Sequence, residues 1–137
     1  LNGESVSMQG EFLNLDIDPP NVRTVSGNSP LFYFGGLSEP ARDVAAECSD
    51  VFLMWPGTLP EVDSILTDMR KRAASYNRSL KYGYRVHVGD PDQVLNKLKQ
   101  YMDLGIEAFI LSGYPHQQEC DLFARYVLPE LEHGVLT

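Results

Sequence analysis

Four times between residue 31 and the C-terminus, a short apolar run is followed by a longer stretch whose apolar residues recur at spacings of three and four. The first run, Leu31-Phe32-Tyr33-Phe34, closes on Gly35-Gly36, and Ser38-Glu39-Pro40 then reads as a helix start with Ser38 as N-cap. Ala41, Val44, Ala45 and Cys48 form the expected buried stripe of that helix. Val51 to Trp55 is the second strand, ended by Pro56-Gly57, and Val62, Ile65, Leu66, Met69 and Ala73 mark a helix that stops near Asn77-Arg78. The third strand covers 81–88, and Asp90-Pro91 caps a helix striped by Val94, Leu95, Leu98, Tyr101 and Met102, with Gly105 as terminator. A fourth strand over 107–112 leads to a helix striped by Cys120, Phe123, Ala124, Val127, Leu128 and Leu131. These stripes predict core rather than cofactor contacts. Residues 1–30 are less regular: Gly3-Glu4-Ser5-Val6 and Gly10-Glu11-Phe12-Leu13 suggest turns joining short extended pieces, and Asp18-Pro19-Pro20 to Ser29-Pro30 reads as a connecting loop.

Strands alternating with helices over short links predict an α/β fold with parallel strands and right-handed crossovers. In such sheets and barrels, ligands sit at the C-terminal ends of the strands. Four strand ends here carry residues with binding or proton chemistry: Gly35, Gly36 and Ser38 after the first, Trp55 at the second, Arg85 and His87 on the third, and Tyr114 and His116 after the fourth.

In Lys81-Tyr82-Gly83-Tyr84-Arg85-Val86-His87-Val88, alternation puts Arg85 and His87 on one face and Tyr84, Val86 and Val88 on the other. An arginine in such a strand is costly to bury unless an anion meets it; the partner is either a carboxylate such as Asp92 or a ligand. His87 by itself fits a hydrogen-bonded core position as well as a catalytic one. Ser112-Gly113-Tyr114-Pro115-His116 places a phenol and an imidazole directly after an apolar strand, and the proline biases Tyr114 toward an extended backbone. A phenol beside an arginine has its phenolate favoured, so Tyr114 with Arg85 would make a tunable acid or base. Gly35-Gly36-Leu37-Ser38 suits either a phosphate cradle at a helix start or an ordinary tight turn, and Trp55 either a flat cofactor wall or a large core residue.

Composition narrows the picture. A chain of 137 residues with 43% hydrophobic content makes one domain with a packed core. A net charge of -8 argues against sequence-independent nucleic-acid binding, so an anionic ligand needs a local site. The absence of a long apolar run or a basic-apolar leader predicts a soluble, cytoplasmic protein without membrane contact. Cys48 and Cys120 are expected as reduced, partly buried thiols, and His87, His116 and His133 have no metal-ligand spacing.

Residues 1–88 and 89–137 resemble the C-terminal half of the flavin-dependent alkanesulfonate monooxygenases, of the bacterial-luciferase-like superfamily. The resemblance rests on Gly3-Glu4 with Gly10-Glu11-Phe12, on Tyr33-Phe34-Gly35-Gly36 with Ser38, on Asp50 to Trp55, on Tyr84 to Val88, and above all on Gly105 to His116. It implies a TIM-barrel-like fold in which reduced FMN, a co-substrate delivered by an NAD(P)H-dependent flavin reductase, reacts with O2. The oxygenated flavin then converts an alkanesulfonate to aldehyde and sulfite. By the same resemblance Gly36, Leu37 and Ser38 would hold the FMN phosphate, and Trp55, Arg85, His87, Tyr114 and His116 would line the reaction site. Arg85 would balance the sulfonate or oxygen charge, and Tyr114 would exchange the proton.

Two departures shape the expectation. Leu37 stands where the family often has a second serine, and Val88 runs straight into Gly89-Asp90-Pro91 where the family carries a long insertion with a mobile loop and another arginine. The first four strand-helix units are also missing, so the chain is expected to be a half barrel: an irregular lead-in over 1–30 and four βα units over 31–137. Open sheet edges make a homo-oligomer the expected state. The competing expectations are a non-catalytic half-barrel module and a small-anion binder without redox activity.

Overall fold

The computed structural model describes residues 4–18, 24–87 and 89–135, with Val86 and His87 described by their backbone alone. Gly3, Pro19, Pro20 and Val88, which figure in the expected turns and in the third strand, lie outside the described residues. The chain divides into two compact units, residues 1–31 and 32–137. In the first, strands β1 (Val6–Gln9) and β2 (Asn14–Ile17) form an antiparallel hairpin in the register Val6↔Ile17 to Gln9↔Asn14. The Gly10 N–H closes its loop on the Leu13 carbonyl at 2.9 Å. The two extended pieces expected here are therefore partners of each other.

The second unit carries β3 (Tyr33–Gly35), α1 (Glu39–Cys48), β4 (Val51–Met54), α2 (Leu59–Ser75), β5 (Lys81–His87), α3 (Pro91–Asp103), β6 (Ala108–Ser112) and α4 (His116–Tyr126), followed by a 3-10 turn at Leu128–Glu130. All four strands are parallel and lie in the order β3-β4-β5-β6. Sequential order is that of a barrel wall, whereas a doubly wound sheet reverses direction partway. The helix boundaries follow from local chemistry. Ser38 Oγ accepts from the Ala41 N–H, Asp90 Oδ1 accepts from the Gln93 N–H at 3.0 Å with Pro91 beginning α3, and Gly105 leaves that helix with φ +97°.

One sheet face is the core. Phe34, Phe52, Met54, Tyr82, Tyr84 and Phe109 share it and pack with Ala45, Ala46, Val62, Leu66, Met69, Leu98 and Tyr101 of the helices. The opposite face, read from the register, carries Tyr33, Leu53, Gly83, Arg85, Ala108 and Ile110. There Tyr33 and Ile110 are 47% and 48% exposed. Helices joined by right-handed crossovers between neighbouring strands all fall on one side, which leaves the other without a helical cover.

The structure corrects several local expectations. Strand β3 begins at Tyr33, because Phe32 is held by Asp50 and Val51: its N–H donates to Asp50 Oδ2 and its carbonyl accepts from both their N–H groups. In α1, Val44 and Cys48 are exposed, and the buried positions are Ala45, Ala46 and Ser49. That orientation lets Arg42 meet Asp68 of α2 at 2.7 Å and Asp43 meet Arg72 at 2.9 Å, while two small alanines allow close approach. Both cysteines are exposed free thiols rather than partly buried ones. In α4, Cys120 and Ala124 face outward, and Phe123 packs against the core.

Leu66 is fully buried at the centre of this helix-side core. Leu66→Ala is expected to lower unfolding free energy by about 2–5 kcal/mol, measured by urea titration with an unchanged m-value.

Candidate functional site

The expected site residues distribute over the C-terminal ends of the strands as the topology requires, but not all meet. Strand β4 ends at Met54, so Trp55 leaves the sheet and is 56% exposed. That settles its two expectations against the core role. The Arg85 guanidinium Cζ lies 5.5 Å from the Trp55 ring centroid, within cation–π range. Arg85 is half-buried, and its Nε is buried with no hydrogen-bond partner among the described residues. The alternative pairing with Asp92 is not formed: among the described residues no ion pair joins them, and Asp92 sits exposed in the first turn of α3. A buried donor without an acceptor is costly, so an arginine held this way fits an anion supplied from outside the chain.

His87 lies on β5 opposite Ser112 of β6, two positions beyond Arg85 and hence on the same face by alternation. Its side chain lies outside the described residues. Tyr114 is 86% exposed, and its ring meets the His116 ring edge-on at 5.8 Å. Among the described residues no hydrogen bond joins Tyr114 to Arg85; the acid–base pair expected from those two is not assembled here. His116 opens α4, and its Nδ1 lies 2.5 Å from the Gly113 carbonyl, which ties the imidazole to the strand end.

At the first strand end, Ser38 is an N-cap and its hydroxyl oxygen serves the Ala41 N–H at 3.4 Å. A Cβ on Gly36 would stand 2.8 Å from Ala41 Cβ, so this glycine is required for the close packing of strand end on helix. Leu37 is exposed between them. Pro40 removes one N–H from the first turn and Glu39 adds a carboxylate, so this cradle offers fewer donors to a phosphate than a helix start usually does.

The residues that the sequence marked only as core turn out to build the site from behind. Tyr84 and Tyr101 stack with ring centroids 4.3 Å apart, and their hydroxyls are 3.0 Å apart. The Gly57 N–H donates to Tyr84 Oη at 2.8 Å, and the Tyr101 hydroxyl donates to the Gly57 carbonyl at 2.8 Å. With Tyr84 donating to Tyr101, the three protons close a ring in which each is used once. Burial pushes the Tyr84 phenol up to about 12, with the Tyr101 hydrogen bond adding to it.

A separate cavity of about 480 Å³ opens between α3 and α4, lined by Asp90, Val94, Leu111, His116, Phe123 and Val127 among others. Of the expected site residues whose side chains are described, only His116 borders it.

A parallel sheet in sequential strand order, with helices between its strands, is an α/β wall of the barrel type, and an arginine and an exposed tryptophan meet at its adjacent strand ends. The chain belongs to the luciferase-like monooxygenase family, whose model matches residues 1–88. It is similar to a sulfoquinovose monooxygenase of Novosphingobium aromaticivorans, 40% identical over 212 residues, covering 99% of this chain and 59% of that protein. A second sulfoquinovose monooxygenase, from Agrobacterium fabrum, is 26% identical and is matched over 51% of its length. The chain thus spans little more than half the length of these curated relatives. The first alignment runs over 212 positions against 137 residues here, so that relative carries at least 75 residues, the difference, inside the matched region that this chain lacks. Among solved structures, the coenzyme F420-dependent tetrahydromethanopterin reductase of Methanopyrus kandleri superposes with a TM-score of 0.80 at 12% identity, covering 96% of this chain and 59% of that one. That likeness shows the fold.

The folded-state value of Tyr84 lies above the ordinary 10.0 of an unfolded tyrosine. Its contribution to stability is therefore fully present below about pH 10 and is lost as pH rises toward about 12. Ultraviolet titration of the phenols is expected to show a late-ionising tyrosine that disappears in Tyr84→Phe.

Proposed function

We propose that this chain forms the C-terminal wall of a reduced-flavin-dependent monooxygenase that releases sulfite from an organosulfonate, of which alkanesulfonates are the simplest class. The observation that carries the reading is the buried Arg85 Nε, without a hydrogen-bond partner among the described residues, beside the exposed face of Trp55. A sulfonate supplies oxygens for the guanidinium, and a flat ring system supplies a face for the indole. The names of the two curated relatives support the substrate class, since sulfoquinovose is a sugar sulfonate.

Reduced FMN, when bound, would supply the two electrons that reduce one atom of O2 to water, while the other oxygen atom would go to the carbon that bears sulfur. The carbon–sulfur bond breaks to give aldehyde and sulfite, and the atoms balance. Arg85 holds the sulfonate. Ser38, with the backbone N–H groups around Leu37 and Gly36, is the place for the FMN phosphate. His87, whose backbone position falls on the Arg85 face by alternation, is assigned the part of proton carrier, with Tyr114 and His116 as the further proton-handling groups at the neighbouring strand end. The reduced flavin arrives from an NAD(P)H-dependent flavin reductase.

In this proposal the remaining barrel wall supplies the rest of the flavin contacts. With that wall provided by fusion to the N-terminal part of a relative, reduced FMN, O2 and a short alkanesulfonate are expected to yield sulfite. Arg85→Ala is then expected to lower kcat/KM by about 10²- to 10³-fold, or about 3–4 kcal/mol, as for a charged donor removed from a desolvated site. Unchanged kinetics in that variant would remove Arg85 from the site.

We further infer that the chain by itself associates with a second copy. Strands β3 and β6 each present one unpaired edge, and the face between them is only partly covered. A twofold axis parallel to the strands sets β6 of one copy beside β3 of the other, giving eight parallel strands. Light scattering at micromolar concentration is expected to give twice the mass of 15.4 kDa; a monodisperse monomer would exclude the assembly.

A further inference from the structure

Neighbouring residues of β5 grip one loop from opposite sides of the sheet. Arg85 reaches the ring of Trp55 on the face without helices, while Tyr84 on the helix face holds both backbone groups of Gly57 through its own hydroxyl and that of Tyr101. Only Pro56 separates Trp55 from Gly57, so the position of the indole follows from where that glycine is pinned. The anchor is stiff: Tyr84 and Tyr101 are buried, their rings stack, and Tyr101 comes from α3, forty-four residues further along the chain than Gly57. Without the two hydroxyls, nothing else among the described contacts of Gly57 fixes its N–H and carbonyl.

We infer that Tyr84 and Tyr101 are positioning residues for the anion site: their hydroxyl ring on Gly57 holds Trp55 against Arg85, so that indole face and guanidinium are presented together to an anionic ligand. The inference rests on the reading of Arg85 and Trp55 as that site. It assigns a binding role to two tyrosines that never touch the ligand. A phenol kept protonated far above neutrality suits the task, since the clamp then holds at every pH at which an enzyme of this kind would work. Packing by the rings alone would serve the fold equally well; the hydroxyls matter for the loop.

Trp55 is the single tryptophan of the chain, so its fluorescence reports on this loop alone. The experiment compares quenching by iodide, an anion that Arg85 attracts, with quenching by neutral acrylamide at constant ionic strength, in the full chain and in Tyr84→Phe, Tyr101→Phe and Arg85→Gln. In the unaltered chain iodide is expected to quench above the level that acrylamide accessibility sets, and Arg85→Gln is expected to abolish that excess. Each tyrosine variant is expected to raise acrylamide quenching and to cut the iodide excess by about twofold, as the cation–π contact loosens. Tyr101→Phe removes a single bond to Gly57 and is the variant to rely on if Tyr84→Phe does not fold. A purely structural role would lower the melting temperature and leave both quenching constants alone, and that result overturns the clamp. Absence of any iodide excess in the unaltered chain would overturn the anion site, and with it the positioning role.

Discussion

Right-handed crossovers between parallel neighbours are the constraint from which the rest of this unit follows. Because β3, β4, β5 and β6 pair in chain order, every helix lies on the same side of the sheet. That side gains a dry core built around Phe52, Leu66, Met69 and Tyr101. The other side keeps Tyr33, Leu53, Arg85 and Ile110 under no helix, and its two edge strands keep unpaired backbone groups. A wall with one finished face is stable enough to place side chains accurately at its strand ends, yet it leaves the site open to whatever completes the barrel.

Strand β5 connects the two faces. Its alternation sends a tyrosine into the helix layer and an arginine out of it at consecutive positions, and both end on the β4–α2 loop. The energetic terms differ in kind. The Tyr84, Tyr101 and Gly57 ring satisfies buried polar groups that would each cost about 1–3 kcal/mol if left alone. The contact of Arg85 with Trp55 is weaker, about 0.5–2 kcal/mol, and leaves the guanidinium with donors to spare. In the proposed site the loop is held by this rear support, and an anion would take the remaining donors.

Family membership shows the class of the chain, and the local geometry shows which of the expected site residues meet. The family model covers the hairpin and the sheet as far as β5. Arg85 and Trp55 stand together at neighbouring strand ends, and Ser38 caps the helix after the first. Tyr114 is exposed beside His116, and Arg85 is not its partner. At least 75 residues of the Novosphingobium relative have no counterpart in this chain within the matched region.

Local chemistry was enough to read the elements. Ser38, Asp90-Pro91 and Gly105 announce helix ends because a cap is satisfied within three residues, and strict alternation over 81–87 decided that Arg85 and Tyr84 part company. Parallel strands, short links and the placing of polar residues at strand ends followed from the same short-range signals. What the sequence did not show depends on how elements dock. The rotation of α1 that exposes Cys48 and Val44 comes from ion pairs with α2, twenty-six and twenty-nine residues away. The partner of Tyr84 lies on a helix whose stripe looked like ordinary core, and a tyrosine counts as apolar in a periodicity whether or not its hydroxyl finds Gly57. Whether Arg85 met Asp92 was likewise settled only by the path of α3, because alternation fixes the side of a sheet a residue takes and says nothing of what stands opposite.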